Sequence, residues 1–391
     1  MNLPEGQDNI LFTGGRSPYT LDLIRLFSKA GYKVYIAESF KDNMAGASKF
    51  TEENIFVPSP ATETDKYINS LIEIIKKNNI KVLIPTCEEV YYISRNKEKL
   101  DKYCFVFTSS LDVLTTLHSK FKFMELLKEL NILHPKSLLI DSLEELNKQL
   151  ANRDTFVLKP EFSRFASYVI INDKSPEKIN SLKISKENTW VLQDYLKGNA
   201  YCSYSVVQNG KVLAHSIYPS IYCAGQGATV HFESVNIPEI DEIVAKVSQR
   251  LNYTGHIAFD FFRSEEDGKV YPIECNPRAT SGIYLFSEKD NLPLAFIPDK
   301  KLNNIIRATN QTQKMIFLAM ILYCMPKLRS FKEARTFFKK LFASKDVIFK
   351  LSDIWPFIAQ FKTLYHYGIV SKKEKISIIE VSTRDIEWNG N

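Results

Sequence analysis

The stretch from His256 to Arg278 permits few folds. It reads His-Ile-Ala-Phe-Asp-Phe-Phe-Arg, then Ser-Glu-Glu-Asp-Gly, then Lys-Val-Tyr-Pro-Ile-Glu-Cys-Asn-Pro-Arg. Two β-prone runs flank a polar, glycine-containing piece, so an antiparallel hairpin is predicted. Folding it about residue 267 sets Asp260 opposite Glu274. Cβ atoms of such a pair lie about 5 Å apart, and like charges there destabilise the sheet. Asn276 and then Arg278 follow Glu274 at steps of two and point from the same face. Two carboxylates in strands otherwise rich in Ile, Phe and Val need a cation. Asp260, Glu274 and Asn276 all offer oxygen ligands, which suits Mg²⁺ rather than zinc. Arg278 beside them is a donor for phosphate or a developing oxyanion. The bland alternative is a solvated hairpin face carrying acids by chance.

The rest of the chain supplies the frame. Ile10–Thr13, Val34–Ala37 and Val82–Pro85 read as short buried strands that alternate with helical stripes, such as Leu21 to Phe27. That order predicts a parallel sheet with helices on its faces, over roughly residues 8–112. Gly14-Gly15 after the first strand is not a dinucleotide fingerprint, and a tight strand-to-helix turn explains it. Arg16 in the same loop is an anion-contact candidate, because ligands of open α/β sheets bind at the carboxyl ends of strands. From residue 114 the pattern becomes α+β with antiparallel strands. Asn209-Gly210 between two strands is the strongest two-residue hairpin signal in the chain. Beyond residue 300 the sequence reads as mainly helical.

Composition narrows the class. The chain has 391 residues, of which 45% are hydrophobic and 25% charged, which excludes disorder and a small disulfide scaffold. None of the six cysteines forms a Cys-x-x-Cys pair, so neither a zinc site nor a redox motif is signalled. The polar N-terminus lacks the pattern of a signal peptide. The longest apolar run, Met315 to Met325, is too short to cross roughly 30 Å of hydrocarbon. A cytoplasmic location is expected. Formal net charge is +6, from 51 basic and 45 acidic residues, too mild for a nucleic-acid coat.

Glu274-Cys275-Asn276-Pro277-Arg278, preceded by Asp260, resembles the metal site of ATP-grasp enzymes. Two upstream segments extend the resemblance. Ser119-Lys120-Phe121-Lys122 opens a helix that closes at Asn131-Ile132-Leu133-His134-Pro135, and Phe156-Val157-Leu158-Lys159-Pro160 is a strand ending in Lys-Pro. The resemblance implies that Asp260, Glu274 and Asn276 hold Mg²⁺ (Mn²⁺ being an acceptable substitute) on the phosphates of ATP. It implies that Lys120 and Lys159 contact those phosphates, with Lys122 a competitor for the first place, and that Arg278 stabilises the phosphoryl group in transfer. Trp190 to Gly198 resembles the strand along which adenine lies. Backbone groups of Asp194 and Leu196 would then read the adenine edge, and an adjacent acid or amide, Gln193 among them, would hold the ribose. One segment departs from the family. Glu161 to Ser167 contains no glycine where many members have a glycine-rich phosphate loop, so Arg164 becomes a phosphate candidate. His231, after a small-residue loop, is either a substrate contact or an ordinary strand residue.

The resemblance is greatest to the carbamoyl-phosphate-synthase and biotin-carboxylase branch and covers residues 8–300. It implies a pre-ATP-grasp α/β domain at 1–113, a two-lobed ATP-grasp domain at 114–300 (lobes 114–197 and 198–300), and a mainly helical C-terminal region at 301–391. The implied activity is that of a carboxylate–amine ligase, which makes an acyl phosphate with ATP and joins it to an amine. Small-molecule carboxylate and amine substrates are implied, no nucleic acid, and a homodimer is admissible. Two alternatives stand beside it. One is a nucleotide-binding protein with reduced or lost turnover, motivated by the missing glycines. The other is a bicarbonate-phosphorylating carboxylase, disfavoured because no biotin-attachment segment occurs in the sequence.

The charge is local. Between Pro326 and Lys350, eight basic residues face two acidic ones, so this stretch alone carries the +6. Leu328, Phe331, Phe338, Leu341 and Phe342 recur there at near-helical spacing, which predicts a basic amphipathic helix. Packing on the body of the protein with solvated lysines is one outcome. Peripheral docking to an anionic membrane surface or an acidic partner through 326–350 is the other.

Overall fold

The computed structural model describes residues 8–163, 168–225, 227–298, 300, 302–308, 313–388 and 390. Arg164 and most of its loop lie outside these residues.

The first domain is the predicted parallel sheet. Strands β1 (Asn9–Thr13), β2 (Lys33–Glu38), β3 (Glu53–Phe56), β4 (Ile80–Ile84) and β5 (Phe105–Val106) lie in the order β3-β2-β1-β4-β5, all parallel. Helices α1 (Pro18–Lys29) and α2 (Thr64–Lys77) connect them. β1 is buried on both faces, as parallel strands between helices must be. The Gly14-Gly15 loop is the tight turn. Gly14 has φ +73°, and a Cβ there would fall 2.4 Å from Thr86 Oγ1. Only glycine fits, for reasons of packing rather than phosphate binding.

Two antiparallel sheets follow. β6 (Ser137–Ile140), β7 (Val157–Pro160), β8 (Ile170–Ile171) and β9 (Trp190–Gln193) form the first, in the order β6-β9-β7-β8. The second holds β10 (Gly198–Gln208), β11 (Lys211–Pro219) and the predicted hairpin strands Gly255–Ser264 and Val270–Asn276. β10 and β11 turn at Asn209 and Gly210, with φ +47° and +74°, as their residue types lead one to expect.

The chain beyond residue 300 adds strands as well as helices. Ile306–Arg307 pairs in parallel with β11. Lys314–Met315 joins His231–Phe232 to Lys345–Asp346. One hydrophobic cluster holds Phe12 and Phe27 of the first domain, Tyr204 and Tyr284 of the middle, and Val347 and Ile348 of the C-terminal part. These three stretches therefore share a core.

The basic helix forms at Phe331–Ala343, started by the Ser330 side chain, which accepts from the Glu333 amide. Its buried face differs from the expected one. Phe337 and Leu341 pack against Val230, Met315 and Met320. Phe331 and Phe342 are 88% and 83% exposed, and Phe338 is also exposed. Part of the local charge is met on the protein itself, by Lys340–Glu233 and Lys350–Asp22 pairs. Among the described residues, no helix is long and apolar enough to cross a membrane.

Candidate active site

The hairpin sets the chemistry. Asp260 pairs with Glu274 and Ala258 with Asn276, the register expected from a fold about residue 267. Nearer the turn the pairing is Phe261 with Pro272, so Ile273 is an extra residue in the ladder. The strand Val270–Asn276 is an edge strand, where a proline and a bulge are tolerated. This bulge has a consequence across the cavity. The Ile273 carbonyl, out of the ladder, accepts from Lys159 Nζ at 3.2 Å.

Asp260 and Glu274 line a cavity of about 830 Å³. Asn276 Nδ2 lies 3.4 Å from Asp260 Oδ2, and Arg278 donates to Asn276 Oδ1 at 3.2 Å. Burial first, and Glu274 second, push the Asp260 carboxyl above the ordinary range. Neither acid forms an ion pair among the described residues, although the charges of Arg278 and Lys159 act on Asp260. The donors available are two carboxylates and an amide oxygen. No cluster of three His, Cys, Asp or Glu occurs among the described residues. An oxygen-only set fits Mg²⁺.

The opposite wall carries the lysines. Lys120, at the start of the Lys120–Glu129 helix, is only 3% exposed, whereas Lys122 points to solvent. Lys120 lines the cavity and Lys122 does not. Lys120 Nζ reaches Ser163 Oγ at 3.1 Å and the Ser163 carbonyl at 3.3 Å. Lys159 on β7 also donates to Gln193 Oε1 at 3.1 Å. Burial lowers its pKa to about 8, against the opposing pull of Glu274.

The hinge residues have more specific places than expected. Gln193 is buried and holds Lys159 with its amide oxygen while its nitrogen donates to Ser137 Oγ at 2.9 Å. That engages the amide in orienting the lysine. Asp194 donates its backbone N–H to the Lys136 carbonyl and pairs its side chain with Arg153. Asp194 and Leu196 both line the cavity.

The anion-contact expectation for Arg16 is corrected, and of the two readings of His231 the strand residue is the one seen. Arg16 is not an open anion contact, because its guanidinium pairs with Glu38 and Asp385. His231 does not line the cavity. Its Nε2 faces Gln313 and Ser344 beside the basic helix, and burial lowers its pKa. Arg164 lies outside the described residues.

The sequence reading missed Glu88 and the C-terminal wall. Glu88 lies 3.9 Å from Arg278 and accepts from the Trp388 amide at 3.3 Å. Trp388 stacks on Tyr91 at 4.6 Å and meets the Phe162 ring edge-on, next to Ser163. Tyr367, Ser382, Thr383 and Ile386 line the cavity too. The one local hint was an acidic pair, Glu88-Glu89, at the end of the loop that follows β4.

Lys120 at a helix start, Lys159 on β7 and the Asp260, Glu274, Asn276 and Arg278 side of the hairpin line one cavity. Residues 117–282 match the family model described as an ATP-grasp domain, and the middle of this chain is an ATP-grasp domain. Over 219 residues the chain is 26% identical to the carbamoyl phosphate synthase large chain of Archaeoglobus fulgidus, a match covering 52% of this chain and 20% of that one. The chain therefore spans about a fifth of the length of that relative. The fold is similar to N5-carboxyaminoimidazole synthetase from Staphylococcus aureus complexed with ADP, with TM-score 0.63 and 15% identity over 82% of this chain and 86% of that one. It is also similar to L-amino acid ligase from Bacillus licheniformis, with TM-score 0.55 and 14% identity over 70% and 68%.

Proposed function

We propose that the protein is an ATP- and Mg²⁺-dependent ligase that activates a carboxylate as an acyl phosphate and joins it to an amine. The observation that carries this reading is the placement of Asp260, Glu274, Asn276 and Arg278 in one cavity with Lys120 and Lys159. The names of the similar proteins, a carbamoyl phosphate synthase and an amino-acid ligase among them, support the same class.

The residues divide the work. Lys120 and Lys159 bind phosphate oxygens from the wall opposite the hairpin. Asp260, Glu274 and Asn276 would hold Mg²⁺, which when bound neutralises phosphate charge. Arg278 faces the transferred phosphoryl group and stabilises charge that develops there. A substrate carboxylate oxygen attacks the terminal phosphorus, and the bond to the ADP oxygen breaks. The amine nitrogen then attacks the acyl carbon, inorganic phosphate leaves, and the nitrogen loses a proton. Catalysis is positioning and electrostatics throughout.

The test is ADP release in Mg·ATP against a panel of carboxylates with and without amines, followed by mass spectrometry of the product. Carboxylate-stimulated ADP with a new C–N bond is the expected result. Tight Mg·ATP binding with no ADP from any member would replace this reading with a nucleotide-binding role, and bicarbonate-dependent ADP with a carboxylase.

A pH effect follows from Lys159. Its ammonium form is the one that holds phosphate. With a pKa near 8 in the empty site, the charged fraction falls as pH rises through 8. Nucleotide affinity is expected to weaken between pH 7.5 and 9.5 in calorimetric titrations. Lys159→Arg, which stays charged over that range, should flatten the profile. An unchanged wild-type affinity across the range would remove Lys159 from the phosphate site.

A further inference from the structure

The lining of the cavity extends beyond the hairpin and the lysines into a further part, the chamber. Its walls come from three regions of the chain. Tyr19 and Cys87 belong to the first domain, Ile316 to the start of the C-terminal part, and Tyr367, Thr383 and Ile386 to its end. Tyr19 and Cys87 are in contact, 3.1 Å from hydroxyl to sulfur. Tyr367 packs its ring against Phe40, which also lies beneath the Arg16 guanidinium. Aromatic and aliphatic surface predominates.

The charge of this end is fixed by Arg16. A guanidinium has five N–H donors. Nε of Arg16 donates to Glu38, Nη1 to the Ser382 carbonyl and Asp385, and Nη2 to Glu38 and Asp385. All five are committed to acceptors of this chain. Burial opposes ionisation of Asp385, yet the hydrogen bond and charge of Arg16 win, and its pKa is lowered. One guanidinium between two carboxylates leaves this end with a net negative charge. Glu38 and Asp385 do not themselves line the cavity, and a phosphate or second carboxylate placed there meets an Arg16 whose donors are all taken. Recognition of such groups needs charge-assisted donors that this chamber has used internally.

We infer that the chamber receives an uncharged, apolar or aromatic group of the substrate, and that it selects against molecules carrying a phosphate or a second carboxylate. The inference rests on the proposed ligase reading and deepens it. The carboxylate to be activated sits at Arg278, and its side group extends between Tyr19, Tyr367 and Ile386. The C-terminal segment is then a specificity element, since Thr383 and Ile386 line the chamber.

The experiment compares matched amino acids and acids in Mg·ATP: phenylalanine and leucine, glutamate, and O-phosphoserine. The apolar members are expected to stimulate ADP release over the anionic ones by on the order of 10–200-fold, the scale at which an apolar pocket discriminates. Ile386→Trp, which fills the chamber, should reduce the response to phenylalanine while sparing alanine. Equal or better stimulation by O-phosphoserine or glutamate would overturn the inference and leave the ligase reading intact. If no member releases ADP, the ligase reading fails, and thermal shifts of the Mg·ADP-loaded protein decide the inference separately. A shift with phenylalanine and none with O-phosphoserine supports it, whereas the reverse order, or no shift with any member, overturns it.

Discussion

Glu274→Gln is expected to abolish carboxylate-stimulated ADP release while leaving the protein at least as heat-stable as the wild type without Mg²⁺. The two halves have one cause. Asp260 and Glu274 are cross-strand partners in the wall of a cavity, and like charges opposed in a sheet destabilise it. Burial and Glu274 raise the Asp260 pKa. Between its unfolded pKa and that raised value, the folded chain therefore binds more protons at Asp260 than the unfolded chain does. The site's contribution to stability falls as pH rises through that window. A glutamine removes the opposing charge, so the metal-free variant should show an equal or higher Tm at pH 7.5. The arrangement is costly unless a cation fills it, and that is the argument for function. Removing one electrostatic stabiliser of a transition state typically costs on the order of 10²–10³ in kcat. The loss here should be at least that large. Mg²⁺ with ADP should raise the Tm of the wild type and not of the variant. Turnover within a few-fold of wild type would sink the metal assignment.

What was legible in the sequence was what local periodicity encodes. The alternation in His256–Arg278 put Asp260 opposite Glu274, and the structure has that pairing. It could not disclose the bulge at Ile273, because one extra residue near a turn leaves the apolar pattern intact. That bulge frees the carbonyl that orients Lys159. The strand β3 escaped notice because Glu53-Asn54-Ile55-Phe56 is short, lies at a sheet edge and is half-exposed. The basic helix was visible as a helix, but its phase was set by contacts with Val230, Met315 and Met320. Phe337 is buried and Phe331 is not for that reason. Arg16 illustrates the deepest limit. In sequence it stands in a ligand-binding loop, and only a carboxylate far along the chain, Asp385, shows that its charge is already answered.

The same long reach makes Asp353→Ala the substitution with the largest expected effect on stability. Arg25 lies in α1 and Asp353 after the last short strand, and their side chains are 1% and 0% exposed. Arg25 Nε donates to Asp353 Oδ2 at 2.9 Å. Its other nitrogens donate to the carbonyls of Val347 and Ile348 at 2.8 and 2.9 Å. Asp353 also accepts from Ser48 Oγ at 2.7 Å and the Lys49 amide at 3.1 Å. Alanine would leave a guanidinium buried without its counter-charge, and such losses cost about 3–5 kcal/mol. Urea unfolding should show that loss as a lower midpoint with an unchanged slope. The pair itself need not be strongly stabilising, since ions pay for desolvation. Arg25→Met with Asp353→Leu should therefore recover part of the loss, since the Val347 and Ile348 carbonyls, Ser48 Oγ and the Lys49 amide still lose these partners. Because Val347 and Ile348 belong to the core shared with Phe12 and Phe27, one unfolding transition is expected rather than early melting of the C-terminal part. A cost for Asp353→Ala below about 1 kcal/mol, the scale of an exposed pair, would show that this contact does not clamp the two ends of the chain. The clamp also bears on the site, because the helix that follows, Trp355–Glu374, carries Tyr367 into the cavity wall. Asp353→Ala assayed at low temperature, where it remains folded, should thus lose substrate affinity before it loses nucleotide affinity.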